Sequence, residues 1–105
     1  MRMWNVDPKM MCDKHLLGEH VEMHMFMGCI KKGKNIQGYI DKGLVNIRLI
    51  YARHQELVEE MKRRGMNHNS EMEFSLLPRG GSVDVAKNEE ELKRRCSRCR
   101  ELMRP

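Results

Sequence analysis

The sequence predicts an all-α fold: three main helices forming one compact domain over residues 1–105, with the N-terminal segment inserted between helices. Three observations predict it. Apolar residues recur at steps of three and four through two long stretches, from Leu16 to Ile30 and from Leu49 to Met61, the spacing that lines one side of an α-helix. Each stretch runs into a basic turn holding a glycine, Gly33 or Gly65, a common helix stop. An acidic run, Glu89-Glu90-Glu91, follows Asn88 at what reads as the positive end of a third helix.

The first helix spans roughly Asp13 to Cys29, after the turn-prone Asp7-Pro8, with Asp13 as its N-cap. Leu16, Leu17, Met23, Met27 and Ile30 form its apolar stripe. Lys31-Lys32-Gly33-Lys34-Asn35 ends it, and Gly33, Gly38 and Gly43 mark a basic loop. The second helix runs from about Leu44 to Arg64, with Lys62, Arg63 and Arg64 in its last turn, where cations meet the negative end. Leu49, Ile50, Leu57, Val58 and Met61 supply its buried face. Met66 to Val85 reads as loop, broken by Pro78 and Gly80-Gly81. The third helix starts at Asn88 as cap and continues through Leu92 towards Leu102. There is no internal repeat.

Twenty Lys and Arg stand against fifteen Asp and Glu, a net charge of +5, which points to nucleic acid or another polyanion as partner. Aromatic residues are only 5% of the chain, which argues against a base-stacking platform built from many rings. The eleven methionines serve as flexible core fillers. No stretch approaches the ~18 consecutive apolar residues of a membrane span. The start lacks the apolar centre of a signal peptide. A soluble, cytoplasmic monomer is expected, in host cytoplasm or nucleoid were it phage-encoded.

Polar residues of the first helix form a constellation. His15, Glu19 and Glu22 are spaced four and three apart, so a histidine and two carboxylates project from one face. By spacing alone the same pattern also describes a solvated face. The chain opens Met1-Arg2, and a bulky second residue keeps the initiator methionine in place. An α-amine titrates near neutrality, roughly 7.7–8.0, and acts as a nucleophile without the deep burial a lysine needs. Folded back onto the first helix, that amine meets the carboxylates.

Met1-Arg2-Met3-Trp4-Asn5, followed by Asp13-Lys14-His15-Leu16-Leu17-Gly18-Glu19-His20-Val21-Glu22, resembles the pyrimidine-dimer DNA glycosylase family, also called endonuclease V. Members begin Thr-Arg in the mature chain, and a His-Leu-x-x-Glu-x-x-Glu helix follows at the same distance. Arg53-His54-Gln55-Glu56-Leu57-Val58-Glu59-Glu60-Met61-Lys62-Arg63-Arg64-Gly65-Met66 is similar to that family's second helix and its Lys-Arg-Gly-Phe end. The matches cover about the first two thirds of the chain, at the accuracy such boundaries allow.

The resemblance implies a DNA repair glycosylase with abasic-site lyase activity, acting on double-stranded damaged DNA without cofactor or metal in its chemistry. Met1 would be the amine that forms an imine with the sugar, and Glu22 the essential carboxylate. Arg2, Lys14, His15 and Glu19 would form the DNA-facing set, Arg2 and His15 on phosphate and sugar and Lys14 next to the lesion. The chain departs from the family where Val21 and Met25 replace arginines that grip the kinked DNA, leaving His20 and His24 to take part of that load. The family's aromatic-rich C-terminal tail is also missing.

Cys96-Ser97-Arg98-Cys99 is the second candidate site: a Cys-x-x-Cys pair on a helix puts both thiols on one side, as zinc and redox sites require. Zinc needs two more ligands, and Cys12 with His15, or Cys29 with His24 or His68, can supply them, though His15 would then be taken from the active site. Two free thiols tucked against the first helices are the plainer reading. A non-enzymatic basic nucleic-acid-binding module held by a Cys-x-x-Cys zinc site is the competing class of function.

Overall fold

Five helices make up the computed structural model, which describes residues 1–68 and 70–104. They are α1 (Asp13–Lys31), α2 (Gln37–Asp41), α3 (Ile50–Arg63), α4 (Val85–Arg95) and α5 (Ser97–Leu102). Among the described residues there is no strand, so the all-α reading holds. The most extensive packing is α1 on α3. Leu16, Met23, Phe26 and Met27 of α1 meet Ile50, Leu57 and Met61 of α3 in one buried cluster. Phe26 is an unpredicted member of that core, whereas Leu17, expected in the stripe, is exposed.

The N-terminal segment threads into this core. Met3, Trp4 and Val6 are buried in the same cluster, and the Met3 amide donates to the Leu44 carbonyl at 2.7 Å. Asp7 then caps a 3-10 turn, Pro8–Met10, by accepting from the Lys9 amide at 3.0 Å, which delivers the chain to α1. Cys12, not Asp13, is the N-cap of α1. The Asp13 carboxylate instead accepts from Arg64 Nη1 at 2.9 Å.

Three boundaries differ from expectation, the first of them for long-range reasons. The predicted start of the second helix at Leu44 is non-helical, because Leu44 is taken by Met3 and the Ile47 amide by the Gly80 carbonyl at 2.9 Å. A 3-10 turn, Ile47–Leu49, leads into α3 only at Ile50. The last helix begins at Val85, not Asn88, because Asp84 accepts from the Lys87 amide at 3.1 Å and caps it first. It also breaks at Cys96, whose extended backbone (φ −130°, ψ 113°) ends α4 and opens α5. The expected helix stop at Gly65 is observed: in left-handed conformation (φ 77°), it lets its own amide reach the Lys62 carbonyl and the Met66 amide reach Met61.

Candidate active site

Residues 1–5 are held in place by one buried carboxylate. Glu19, in step with Leu16 and Met23 on the inner side of α1, is 1% exposed. Its Oε2 accepts from the amides of Trp4 at 3.1 Å and Asn5 at 3.3 Å, and from Arg53 Nε at 2.7 Å. Its Oε1 accepts from Arg53 Nη2 at 2.8 Å. Arg53 is itself buried, so the pair is a two-pronged ion bridge from α1 to α3 that also grips the N-terminal segment. Asn5 sits in left-handed conformation (φ 54°), which asparagine tolerates better than most residues and which turns its amide to that carboxylate. The expectation that Glu19 contacts DNA is corrected by this placement: its oxygens are spent inside the protein.

The other anchor is Asn88. Buried on α4, it donates from Nδ2 to the carbonyls of Trp4 at 2.9 Å and Met3 at 3.3 Å, and its Oδ1 accepts from Arg2 Nη2 at 2.6 Å. The Arg2 guanidinium lies 4.1 Å from the centre of the Trp4 ring, a cation–π stack. Burial, followed by the repulsion of Arg95, lowers the Arg2 pKa from the usual guanidinium range.

These anchors leave Met1 beside a cleft of about 390 Å³ lined by Met1, Arg2, Trp4, His15, Glu22, Leu44 and Arg95. The Met1 amine stands 3.7 Å from Glu22 Oε1. Both groups are partly covered but reachable, at 11% and 29% side-chain exposure. Burial raises the Glu22 pKa above the ordinary carboxylate range, and the positive charge of the amine opposes that shift. An amine and a carboxylate in van der Waals reach, at the mouth of a cleft walled by Arg2 and Arg95, can attack an electrophilic carbon and stabilise or deprotonate the cation that results.

The predicted site residues therefore separate into three groups. Met1, Arg2, His15 and Glu22 line one cleft, and Glu19 lies behind it. Lys14 is exposed at the start of α1, where its charge is the next cause after burial of a lowered His15 pKa. His15 also turns Nδ1 away to sulfur, 3.2 Å from Cys12 Sγ and 3.6 Å from Cys99 Sγ. Sequence reasoning missed Trp4, Arg95 and Asn88. Trp4, the sole tryptophan, was the available signal; Asn88 reads as an ordinary cap.

Val21 and Met25 are exposed on α1. His20 cannot take over phosphate binding there, because it is 5% exposed and packed among His24, His54 and His68, with ring centres 4.8–5.0 Å away. Burial is the first cause, and these three histidines the next, of a His20 pKa lowered to about 4. Among the described residues, two groups of side chains are close enough to hold a metal ion: Cys12, His15, Cys96 and Cys99, and His20, His54 and His68. Cys29, the other thiol weighed for such a site, belongs to neither. The Cys-x-x-Cys pair is not on one continuous helix: Cys96 caps α5, its sulfur accepting from the Cys99 amide at 3.5 Å.

No curated protein and no solved structure matches the chain. A family model described as pyrimidine dimer DNA glycosylase matches residues 1–74, which carry the amine, the carboxylate and the buried clamp behind them. The chain belongs to the pyrimidine dimer DNA glycosylase family, and DNA repair glycosylase is its activity class.

Proposed function

We propose that this chain removes a damaged pyrimidine, a cyclobutane dimer in the first place, from double-stranded DNA and then cleaves the abasic sugar, with the Met1 α-amine as nucleophile. The amine bonds to the anomeric carbon as the glycosidic bond breaks; the base takes a proton and, in a dimer, stays joined to its neighbour. The sugar ring opens, its ring oxygen takes a proton, and a protonated imine remains. Glu22 stabilises that cation and accepts the proton lost from the adjacent sugar carbon as the 3′ phosphate departs. Water then hydrolyses the imine and restores the amine. A carboxyl whose pKa is raised by burial is suited to exchanging protons in this way.

The observation that carries this reading is the 3.7 Å approach of the Met1 amine to Glu22 in an open cleft. Arg2 and Arg95 supply its positive walls, with Lys14 exposed nearby, and these cations are the phosphate contacts of the proposal. With Val21 and Met25 apolar, the grip on DNA rests on those three cations rather than on the part of α1 that carries Val21 and Met25.

Borohydride trapping tests it, on duplexes carrying an abasic site or a cyclobutane dimer. The native chain gives a covalent adduct with both. One extra residue before Met1 moves the amine by up to ~3.6 Å, and attack requires the reacting atoms within about 3–3.5 Å, so the extended chain gives none. Equal trapping by the extended chain would place the nucleophile on a lysine and overturn the proposal. An adduct with abasic DNA alone would confine the activity to the lyase step.

A further inference from the structure

We propose that Cys12, His15, Cys96 and Cys99 form a closed Cys3His zinc site that fastens α5 to the start of α1. The four ligating atoms lie within 4.8 Å of one another. Zinc–sulfur bonds of about 2.3 Å in a tetrahedron place neighbouring ligand atoms about 3.8 Å apart, slightly less where nitrogen replaces sulfur. Two of the six edges have that size, Cys12 Sγ to Cys96 Sγ at 3.8 Å and Cys99 Sγ to His15 Nδ1 at 3.6 Å, and a third, Cys12 Sγ to His15 Nδ1, is shorter at 3.2 Å.

The backbone is built for thiolates as well. The Cys12 amide donates to Cys99 Sγ at 3.2 Å and the Cys99 amide to Cys96 Sγ at 3.5 Å. Amide donors aimed at sulfur stabilise the charged form that binds metal. The helix break at Cys96 makes the second contact possible, since that residue caps α5 with its sulfur where a hydroxyl or carboxylate is usual. Four protein ligands with soft sulfur predominant select zinc over magnesium or calcium, and they leave no open position, so the site is structural and not catalytic.

The site also explains how two parts of the chain are joined. Cys12 and His15 fall within residues 1–74, the part matching the family, and Cys96 and Cys99 lie beyond it. α5 rests on the turn Pro8–Met10 just ahead of α1. A zinc ion there would lock that contact, and would hold the His15 ring as a wall of the amine cleft.

Elemental analysis of the purified chain, together with a colorimetric zinc assay during titration of its thiols, tests the assignment. One zinc per chain is expected, released as thiols are blocked, and cobalt loaded in its place should show thiolate charge-transfer bands and the visible bands of a tetrahedral ion. Cys96→Ser, at a half-buried position, should reduce zinc from one equivalent to none in folded protein, while His54→Asn, in the separate histidine cluster, should keep it. Should the cysteine variant fail to fold, the cobalt spectrum of the native chain still decides. Protein that purifies with four freely titrating thiols and takes up no cobalt would overturn the proposal, as would zinc retained by Cys96→Ser or lost by His54→Asn. None of these readouts depends on DNA cleavage, so an inactive but zinc-loaded chain would sink only the amine mechanism.

Discussion

Replacing Glu19 with glutamine removes one charge from a bridge that has no solvent to fall back on. Arg53 is 1% exposed, and its remaining acidic neighbour, Glu56, is 3.6 Å away and 54% exposed. The amide nitrogen of the new side chain must also face either the guanidinium or the amides of Trp4 and Asn5, all of which are donors. Breaking a buried pair by neutralising one partner destabilises by about 3–5 kcal/mol. In a domain of this size each kcal/mol shifts the melting temperature by roughly 4 °C, so Glu19→Gln should melt on the order of 12–20 °C below the parent. Calorimetry or circular dichroism reads this directly. The double variant Glu19→Gln, Arg53→Met should regain at least about half of the loss, because Met removes the stranded charge and frees the Gln carbonyl for the Trp4 and Asn5 amides; such coupling is what non-additivity between contacting residues measures. A single variant melting within about 2 °C of the parent, or a double variant whose losses simply add, would refute the clamp.

Three further outcomes follow from the site. Glu22→Gln keeps shape and removes charge, so turnover on damaged duplex should drop on the order of a hundredfold with melting temperature and DNA affinity little changed; undiminished turnover would remove Glu22 from the mechanism. Affinity for duplex DNA should fall steeply as salt rises, through counterion release, and Arg2→Ala should lower it more than Lys34→Ala, as gel shifts at two salt concentrations would reveal. His20 faces His24 from α1, His54 from α3 and His68, which itself pairs with Glu71 at 3.9 Å. With its pKa lowered to about 4 in the folded chain, against an ordinary value of about 6.5, His20 binds a proton more readily when unfolded. Stability from this residue is therefore complete above about pH 6.5 and is lost as pH falls towards 4, up to about 3 kcal/mol at ~1.4 kcal/mol per unit. His20→Gln should flatten denaturation midpoints across that window, and an unchanged slope would count against a neutral buried imidazole.

The stripes of α1 and α3 are legible in the sequence because helix periodicity is a local property. So is the step from Met1 and Arg2 to Glu22, once the distance from the start of the chain is counted. The inward turn of Glu19 was missed, although the sequence holds a signal for it. Glu19 keeps step with Leu16 and Met23, and Arg53 with Ile50 and Leu57, so two opposite charges sit on two buried stripes. Each then needs the other. What sequence does not yield is pairing across distance. Nothing near Leu44 says that Met3 will keep it out of a helix, and nothing in the sequence chooses Cys12 with His15 over Cys29 with His24 or His68 as the partners of two cysteines more than eighty residues from Cys12.

Helical domains usually fold fast, because most of their contacts join residues close along the chain. The anchoring of residues 1–5 is of the opposite kind. The hydrogen bonds from Asn88 to Trp4 and Met3, and that of Arg2 to Asn88, close loops of 84 to 86 residues, and the link from Cys12 to Cys99 closes one of 87. Loop entropy of that size must be overcome before any of these contacts forms. The α1–α3 hairpin has the shorter loops and should consolidate first, leaving the amine mobile. Competence for chemistry is then a late event in folding, set by the docking of α4 rather than by the helix that carries Glu22. A population with full helical signal and no trapping activity should be transiently visible during refolding.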